Sequence, residues 1–279
     1  MTKDVSIIII CKNCADNIES AIQSALNAAP QEIVIVDGHS TDGTLDIIEK
    51  YKDQVKLVFD PGKGVAMARQ VGADNATSEY LFYLGCDNEI EPDSIEKLKL
   101  YMEEHDYAMA GMLTRIKDTS KYLAFCNNER WKFKITEGPK SVVGSPFMVK
   151  AELLKKFRFN AQAKFSDDTE ICERLIGRGY QIGYSDVICY ENTDNSYAEL
   201  KARFRMYGIS DAEVYNAHRD EWSKKRKRQS LLHPYRSEFK VILQGVKGLG
   251  TKVKVFPYAF LITWIRYRSW FKNRNIHRN

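Results

Sequence analysis

Apolar positions along the first ninety residues alternate between two periods. Unbroken apolar runs at 5–10 (apart from Ser6), 33–36 and 80–84 read as strands buried on both faces, as in a parallel sheet. Between the first two, Ile18, Ala21, Ile22, Ala25 and Leu26 recur at helical spacing and predict a helix over 17–29, stopped by Pro30. Helices over 42–52 and 64–76 and a strand over 55–59 continue the succession. Strand and helix in strict alternation predict an α/β fold, a mainly parallel sheet with helices on both faces and right-handed crossovers.

Further on, Asp93-Ser94-Ile95-Glu96 has the form of a capping box before an apolar stripe of Ile95, Leu98 and Met102. A strand is predicted over 107–112. From 114 to 144 aromatics and mixed charge show no clear period. Order returns at 142–149, followed by a short helix over 151–156, a helix over 168–178 ended by Gly179, and a strand near 181–184. Ser196-Tyr197-Ala198-Glu199 is a second capping box, with Leu200, Phe204 and Tyr207 on one helical face behind it.

The strands break on polar residues in a repeated way. The first stops at Cys11-Lys12-Asn13, the second at Asp37-Gly38-His39-Ser40-Thr41-Asp42-Gly43-Thr44, and the one at 80–84 at Gly85-Cys86-Asp87-Asn88. In open α/β sheets ligands bind beyond the carboxyl ends of the strands, so these three breaks are candidate site loops. Each alone is equally an ordinary polar exit from a core. Asp167-Asp168 at a helix start is likewise also ordinary capping and dipole chemistry.

Charge changes the picture of the carboxyl end. Residues 1–222 carry 27 Lys/Arg against 36 Asp/Glu, whereas residues 223–279 carry 15 against 1. An acidic body, 1–222, is therefore expected to precede a basic, helical extension, 223–279, that seeks an anionic partner, a membrane surface or a nucleic acid. The longest apolar run, 255–265, has eleven residues, short of the roughly twenty needed to span a bilayer. Aromatics from Phe256 to Phe271 interleaved with Lys and Arg fit an element lying in the interface of an anionic membrane; nucleic acid is the weaker alternative, and packing back on the body a third. No signal peptide is read, and six dispersed cysteines in a chain this long fit reduced thiols in the cytoplasm. Cys11-Lys12-Asn13-Cys14 invites comparison with a redox dithiol, but it lacks thioredoxin-like surroundings, and ordinary thiols are favoured.

Taken as an ordered set, SIIIICKN, IVIVDGHSTDGT, KGVAMARQVGADNATSEYLFYLGCDN and FSDDTEICERL resemble the family 2 nucleotide-sugar glycosyltransferases, which have the GT-A fold. The resemblance covers about residues 5–210. It implies an inverting transfer of a sugar from a nucleotide-diphosphate donor to a hydroxyl, in cell-surface polysaccharide or glycolipid synthesis. Asp37 would then hold base and ribose, with Cys11 and Asn13 framing the pocket and Lys63 and Arg69 near the diphosphate. Asp87 would bind a divalent cation, Mn²⁺ or Mg²⁺, that offsets charge on the leaving group. Asp168 would be the base that takes the acceptor's proton.

The chain departs from the family pattern where Gly85 replaces the first acid of Asp-x-Asp and where Lys12 replaces an aromatic. No histidine follows the later strand at 189–192, where Glu191 is the available oxygen ligand. The resemblance implies a glycan or lipid-linked acceptor, and the basic, aromatic tail a peripheral position at the cytoplasmic face of the membrane. Polyprenyl phosphate as acceptor is the nearest alternative; a non-catalytic nucleotide- or nucleic-acid-binding protein is the alternative from another class.

Overall fold

The computed structural model describes residues 4–161, 167–192 and 195–274. The chain divides into two compact units, one formed by 1–117 and 135–192, the other by 118–134 and 193–279. The expected boundary at 222–223 falls inside the second.

In chain order the first unit contains β1 (Val5–Cys11), α1 (Ile18–Asn27), β2 (Glu32–Asp37), α2 (Thr44–Glu49), β3 (Lys56–Phe59), α3 (Val65–Asn75), β4 (Tyr80–Gly85), β5 (Asn88–Ile90), α4 (Ser94–Glu104) and β6 (Tyr107–Ile116). After α5 (Tyr122–Lys134), which belongs to the second unit, it resumes with β7 (Gly138–Pro139), β8 (Phe147–Lys150), α6 (Ala151–Phe157), α7 (Asp167–Ile176) and β9 (Gln181–Glu191). Among the described residues the strands form one sheet, ordered β3-β2-β1-β4-β8-β6-β9-β5, with β7 paired to β9. The Rossmann-like half, β3-β2-β1-β4, is parallel throughout. Beyond β4 the sheet becomes mixed, because β8 runs antiparallel to both β4 and β6.

The apolar runs explain the parallel half. Ile7 and Ile9 enter one core cluster with Ile22, Ile35 and Phe82, while Ile8 enters the opposite cluster with Val34, Val36 and Tyr83. Burying such a side chain is worth about 1.5–3 kcal/mol, and here both faces of the strand collect it. Gly72 of α3 lets that helix sit on β1: a Cβ there would lie 2.4 Å from Ile8 Cγ2.

Two sequence expectations need correction. Asp93 makes no side-chain cap; Ser94 Oγ accepts from Glu91 N at 3.1 Å instead, and Asp93 pairs with Lys97. The strand expected near 181–184 runs on to Glu191, through a bulge in which Ser185-Asp186-Val187 oppose the single Met112 between the pairs Gly111–Tyr184 and Leu113–Ile188. Within the ordered stretch at 142–149, strand β8 begins at Phe147.

The second unit comprises α5, α8 (Tyr197–His218), α9 (Lys224–Leu231), a π-helical turn at Tyr235–Lys240, α10 (Val241–Gly245) and α11 (Leu249–Asn273). The second capping box forms as expected at Ser196, whose side chain accepts from Glu199 N. Phe204, Ile242, Val255, Tyr258, Ala259, Ile262 and Ile265 make the unit's core. Gly208 allows α8 and α11 to touch, since a Cβ there would come within 2.3 Å of the Arg266 carbonyl oxygen.

Inside this core lies a charged cluster. Glu238, fully buried, accepts from Arg130 Nε at 2.7 Å, Lys134 Nζ at 2.8 Å and Arg266 Nη1 at 2.7 Å, and Arg266 also pairs with Asp211 at 2.6 Å. Those cations hold the Glu238 carboxyl far below the usual carboxylate range despite its burial. Glu238 is the single acid of residues 223–279, so the extension's one negative charge is consumed internally.

On α11 the opposite face is bare. Leu249, Val253, Phe256, Phe260, Trp264 and Phe271 are exposed at spacings of three, four and seven residues, one stripe of the helix. No helix among the described residues is long and apolar enough to cross a membrane.

Candidate active site

Four loops leave the carboxyl edge of the first unit's sheet. The β1 and β2 loops are laced together by hydrogen bonds. Asn13 N donates to Ser40 Oγ at 2.8 Å and Asn13 Oδ1 accepts from Thr41 N at 2.8 Å. Cys14 N donates to Thr44 Oγ1 at 2.9 Å, and Ala15 N to Asp42 Oδ2 at 3.1 Å. Asn13 adopts φ 51°, a left-handed conformation that asparagine tolerates well, and this turns its amide toward the second loop.

Asp37 anchors the lacing from beneath. Its carboxylate is fully buried, accepting from Ser40 N at 2.8 Å, Ser40 Oγ at 2.6 Å and the Cys11 thiol at 3.3 Å. Three donors compensate the burial of the charge. Asp37 therefore braces the β1 and β2 loops from within the fold.

The edge of β2 and β3 carries a pair the sequence did not single out. His39 stacks on Phe59 with ring centroids 5.5 Å apart, and its Nε2 lies 2.9 Å from the Asp60 carbonyl oxygen. Both rings are exposed, and a flat exposed ring pair at this edge suits stacking with a planar ligand. No periodicity or motif signals a contact between residues twenty apart. Lys63 is exposed on the turn before α3, and Gly64 has φ 95°, which favours glycine.

Arg69, on α3, does not stand free beside that turn. It pairs with Asp167 at the start of α7, and its guanidinium lies 5.6 Å from the Phe147 ring and 6.0 Å from Phe159. Asp167 is buried by the pairing. Asp168, half-buried, accepts from Thr169 N at 2.7 Å, and its Oδ2 would sit 3.2 Å from a Cβ on Gly144. Gly144 N donates to the Tyr184 hydroxyl at 2.8 Å. Burial raises the Asp168 carboxyl above the ordinary aspartate range; Arg69 opposes the shift and Asp167 adds to it. Residues Lys164, Phe165 and Ser166, which precede this pair, lie outside the described residues.

At the end of β4, Gly85-Cys86-Asp87 forms a tight turn into β5. The Asp87 carbonyl accepts from Asn192 N at 2.6 Å, tying the turn to the end of β9. A Cβ on Gly85 would lie 2.4 Å from Asn88 Oδ1 and 2.8 Å from Asp87 Oδ1. A side chain at 85 would therefore require the Asp87 and Asn88 side chains to move.

Carboxylates of Asp87, Glu89 and Glu191 lie near enough to Cys189 to act on its thiol. Among the described residues no three His, Cys, Asp or Glu side chains already form a metal cage. The available donors are hard oxygens, and Mg²⁺-type sites on phosphate substrates commonly use one or two carboxylates while the phosphate supplies the rest. Asp87 fits that role.

Asp37, Asp87 and Asp168 thus lie on the same edge. Asp37 ends β2, Asp87 follows β4, and Asp168 faces Gly144, just before β8 starts opposite Tyr83 at the end of β4.

The chain belongs to glycosyl transferase family 2, whose family pattern matches residues 6–157. It is 30% identical over 172 residues to an uncharacterised glycosyltransferase of Haemophilus influenzae, covering 56% of this chain and 65% of that protein. It is 32% identical over 112 residues, 38% of this chain and 44% of the relative, to the putative teichuronic acid biosynthesis glycosyltransferase TuaG of Bacillus subtilis. The chain thus spans less than two thirds of the length of both. Its fold is of the GT-A type. It is similar to the mannosyltransferase PcManGT of Pyrobaculum calidifontis, solved with GDP-Man and Mn²⁺, with a TM-score of 0.61, 18% identity and coverage of 97% and 84% of the two chains. For S. aureus TarS residues 1–349 with UDP the TM-score is 0.52 at 17% identity, with 98% and 91% covered.

Proposed function

We propose that this glycosyltransferase is an inverting, metal-assisted enzyme that moves a sugar from a nucleotide-diphosphate donor to a hydroxyl of a cell-surface glycan or lipid-linked acceptor. The observation that carries this reading is the Asp167–Asp168 pair. Arg69 takes up the first carboxylate, while the second stays half-buried with a raised pKa beside Gly144 and Tyr184.

In this mechanism the laced β1–β2 loops, with Cys11 and Asn13 shaped by Asp37, receive the nucleoside, and His39 and Phe59 offer a stacking surface for its base. Lys63 reaches toward the diphosphate. Asp87 would hold a Mn²⁺ or Mg²⁺ ion, which supplies charge neutralisation for the departing diphosphate when bound. Asp168 accepts the acceptor's proton as its oxygen attacks the sugar's anomeric carbon. The bond to the diphosphate breaks on the opposite face and its electron pair leaves with the phosphate oxygen, so configuration inverts after one displacement. A raised pKa makes the carboxylate a stronger base than a solvated aspartate, and Arg69 opposes the rise.

The exposed aromatic stripe of α11, on an extension whose one acid is buried, favours peripheral attachment to the cytoplasmic face of an anionic membrane and hence a lipid-linked acceptor. A polyprenyl phosphate acceptor is the second reading that this stripe supports. Such an acceptor needs little deprotonation, so Asp168→Asn would then keep most activity.

Thermal stabilisation by a panel of UDP-, GDP- and dTDP-sugars, with Mn²⁺, with Mg²⁺ and with EDTA, tests the donor reading. One donor class raises Tm only with the metal, and Asp87→Asn loses that rise. Salt-sensitive RNA or DNA binding with no donor effect would instead favour the non-catalytic alternative.

A further inference from the structure

Three thiols, Cys11, Cys14 and Cys86, pack on one core cluster behind the candidate donor loops, and the transfer chemistry uses none of their sulfurs. The parallel register of β1 and β4 continues to Ile10 opposite Gly85, which carries Cys11 alongside Cys86. Ile7, Ile9 and Cys11 on one strand, and Phe82 and Leu84 on the other, belong to one core cluster, and Cys14 and Cys86 both pack against it. Residues 3 and 75 positions apart in sequence thus bring their sulfurs to one face.

The three differ in freedom and access. Cys11 is 2% exposed, fixed in the strand ladder, and its thiol donates to Asp37. Cys14 and Cys86 are half-buried and lie in the loop after β1 and the turn after β4, outside the strand ladder that holds Cys11. Cys126 and Cys172 are buried in other clusters, and Cys189, buried in the same cluster, places its sulfur 3.4 Å from the Glu89 carbonyl oxygen.

We propose that Cys14 and Cys86 form a reversible disulfide under hydroperoxide, tethering the β4 turn to the β1 loop and closing the donor pocket. The Cys14 sulfur attacks one peroxide oxygen; the O–O bond breaks, hydroxide leaves, and Cys14 becomes a sulfenic acid, oxidised by two electrons. The Cys86 thiol then displaces water from that sulfur, forming the S–S bond. The adjoining thiols, Cys11 first and then Cys86, pull the Cys14 thiol below its ordinary range, which supports Cys14 as the sulfur that reacts first. The closure of the pocket rests on the donor reading above; the disulfide itself does not.

Mapping the cysteines of the native protein after a brief hydrogen peroxide pulse tests this directly. The expected product is a Cys14–Cys86 linked peptide, lighter by two hydrogens and restored by dithiothreitol. Cys14 should react at least about tenfold faster than Cys126 or Cys172. In Cys86→Ser, dimedone should trap the sulfenic acid on Cys14. Equal rates at Cys14 and the buried thiols, a first link between Cys11 and Cys14, or no dimedone adduct would overturn the assignment. Donor transfer by the oxidised protein should fall at least about tenfold and recover on reduction. A mapped disulfide with unchanged transfer overturns the closure, whereas absence of transfer by the reduced protein counts against the donor reading alone.

Discussion

Both units gather carboxylates against arginine, and they do so to opposite ends. In the second, Glu238 is sealed among Arg130, Lys134 and Arg266 with every oxygen committed, and the cluster joins α5, α11 and the π-helical turn between α9 and α10. In the first, the charges sit at the rim of the sheet. Arg69 satisfies Asp167, yet Asp168 is left with a carboxyl that burial pushes up. A depressed pKa marks a charge that the fold has stabilised, and a raised one marks a charge the fold tolerates for another reason. The first arrangement is structure; the second is the kind of group proposed here for catalysis.

Removing a charge from each unit sharpens that contrast. Glu238→Gln leaves three cations around a neutral amide and should cost about 3–5 kcal/mol in urea unfolding, the largest effect on stability expected in the molecule. Next comes Gly208→Ala, whose Cβ would meet backbone at 2.3 Å and should cost about 1–3 kcal/mol. Gly72→Ala meets side-chain methyls of Ile8 at 2.4 Å, which can rotate, so its cost should fall at the lower end of the same range.

Stability against pH separates the two carboxylates by sign. The folded protein holds the Asp168 proton more tightly than the unfolded chain does. Its contribution to stability is therefore complete at acid pH and is lost as pH rises through the folded-state value. Asp168→Asn should match wild type in acid and become slightly more stable toward neutrality. Glu238 behaves in the opposite sense. Its contribution is complete above the ordinary glutamate range and is lost only as pH falls toward its strongly depressed value, so Glu238→Gln and wild type should converge only in strong acid. Parallel urea titrations across pH read both. Like pH profiles for the two variants would erase the distinction between the units.

The parallel half of the sheet was legible because burial on both faces writes continuous apolar runs, and the helices between them because one buried face writes a helical period. The helix α5 was not. Two of its buried positions, Asn127 and Arg130, are polar, since they serve the second unit's hydrogen-bond and ion network, and no apolar stripe remains to be read at 114–144. The long β9 was hidden by the Ser185-Asp186 bulge, which imitates a turn. At the candidate site, residue types and loop positions could be read from the chain, as with Asp37, Asp87 and Asp168. Partnerships could not: the Arg69–Asp167 pair, the His39–Phe59 stack and the convergence of Cys14 with Cys86 all depend on contacts distant in sequence.

The most direct test of the account separates donor binding from chemistry at Asp168. Once the donor class is known, single-turnover transfer to a hydroxyl acceptor and donor affinity are measured side by side for wild type and Asp168→Asn. The account predicts a transfer rate lower by about 10²–10⁴-fold with donor affinity kept within about twofold. A variant that transfers at the wild-type rate, or that loses donor binding in step with rate, would contradict it.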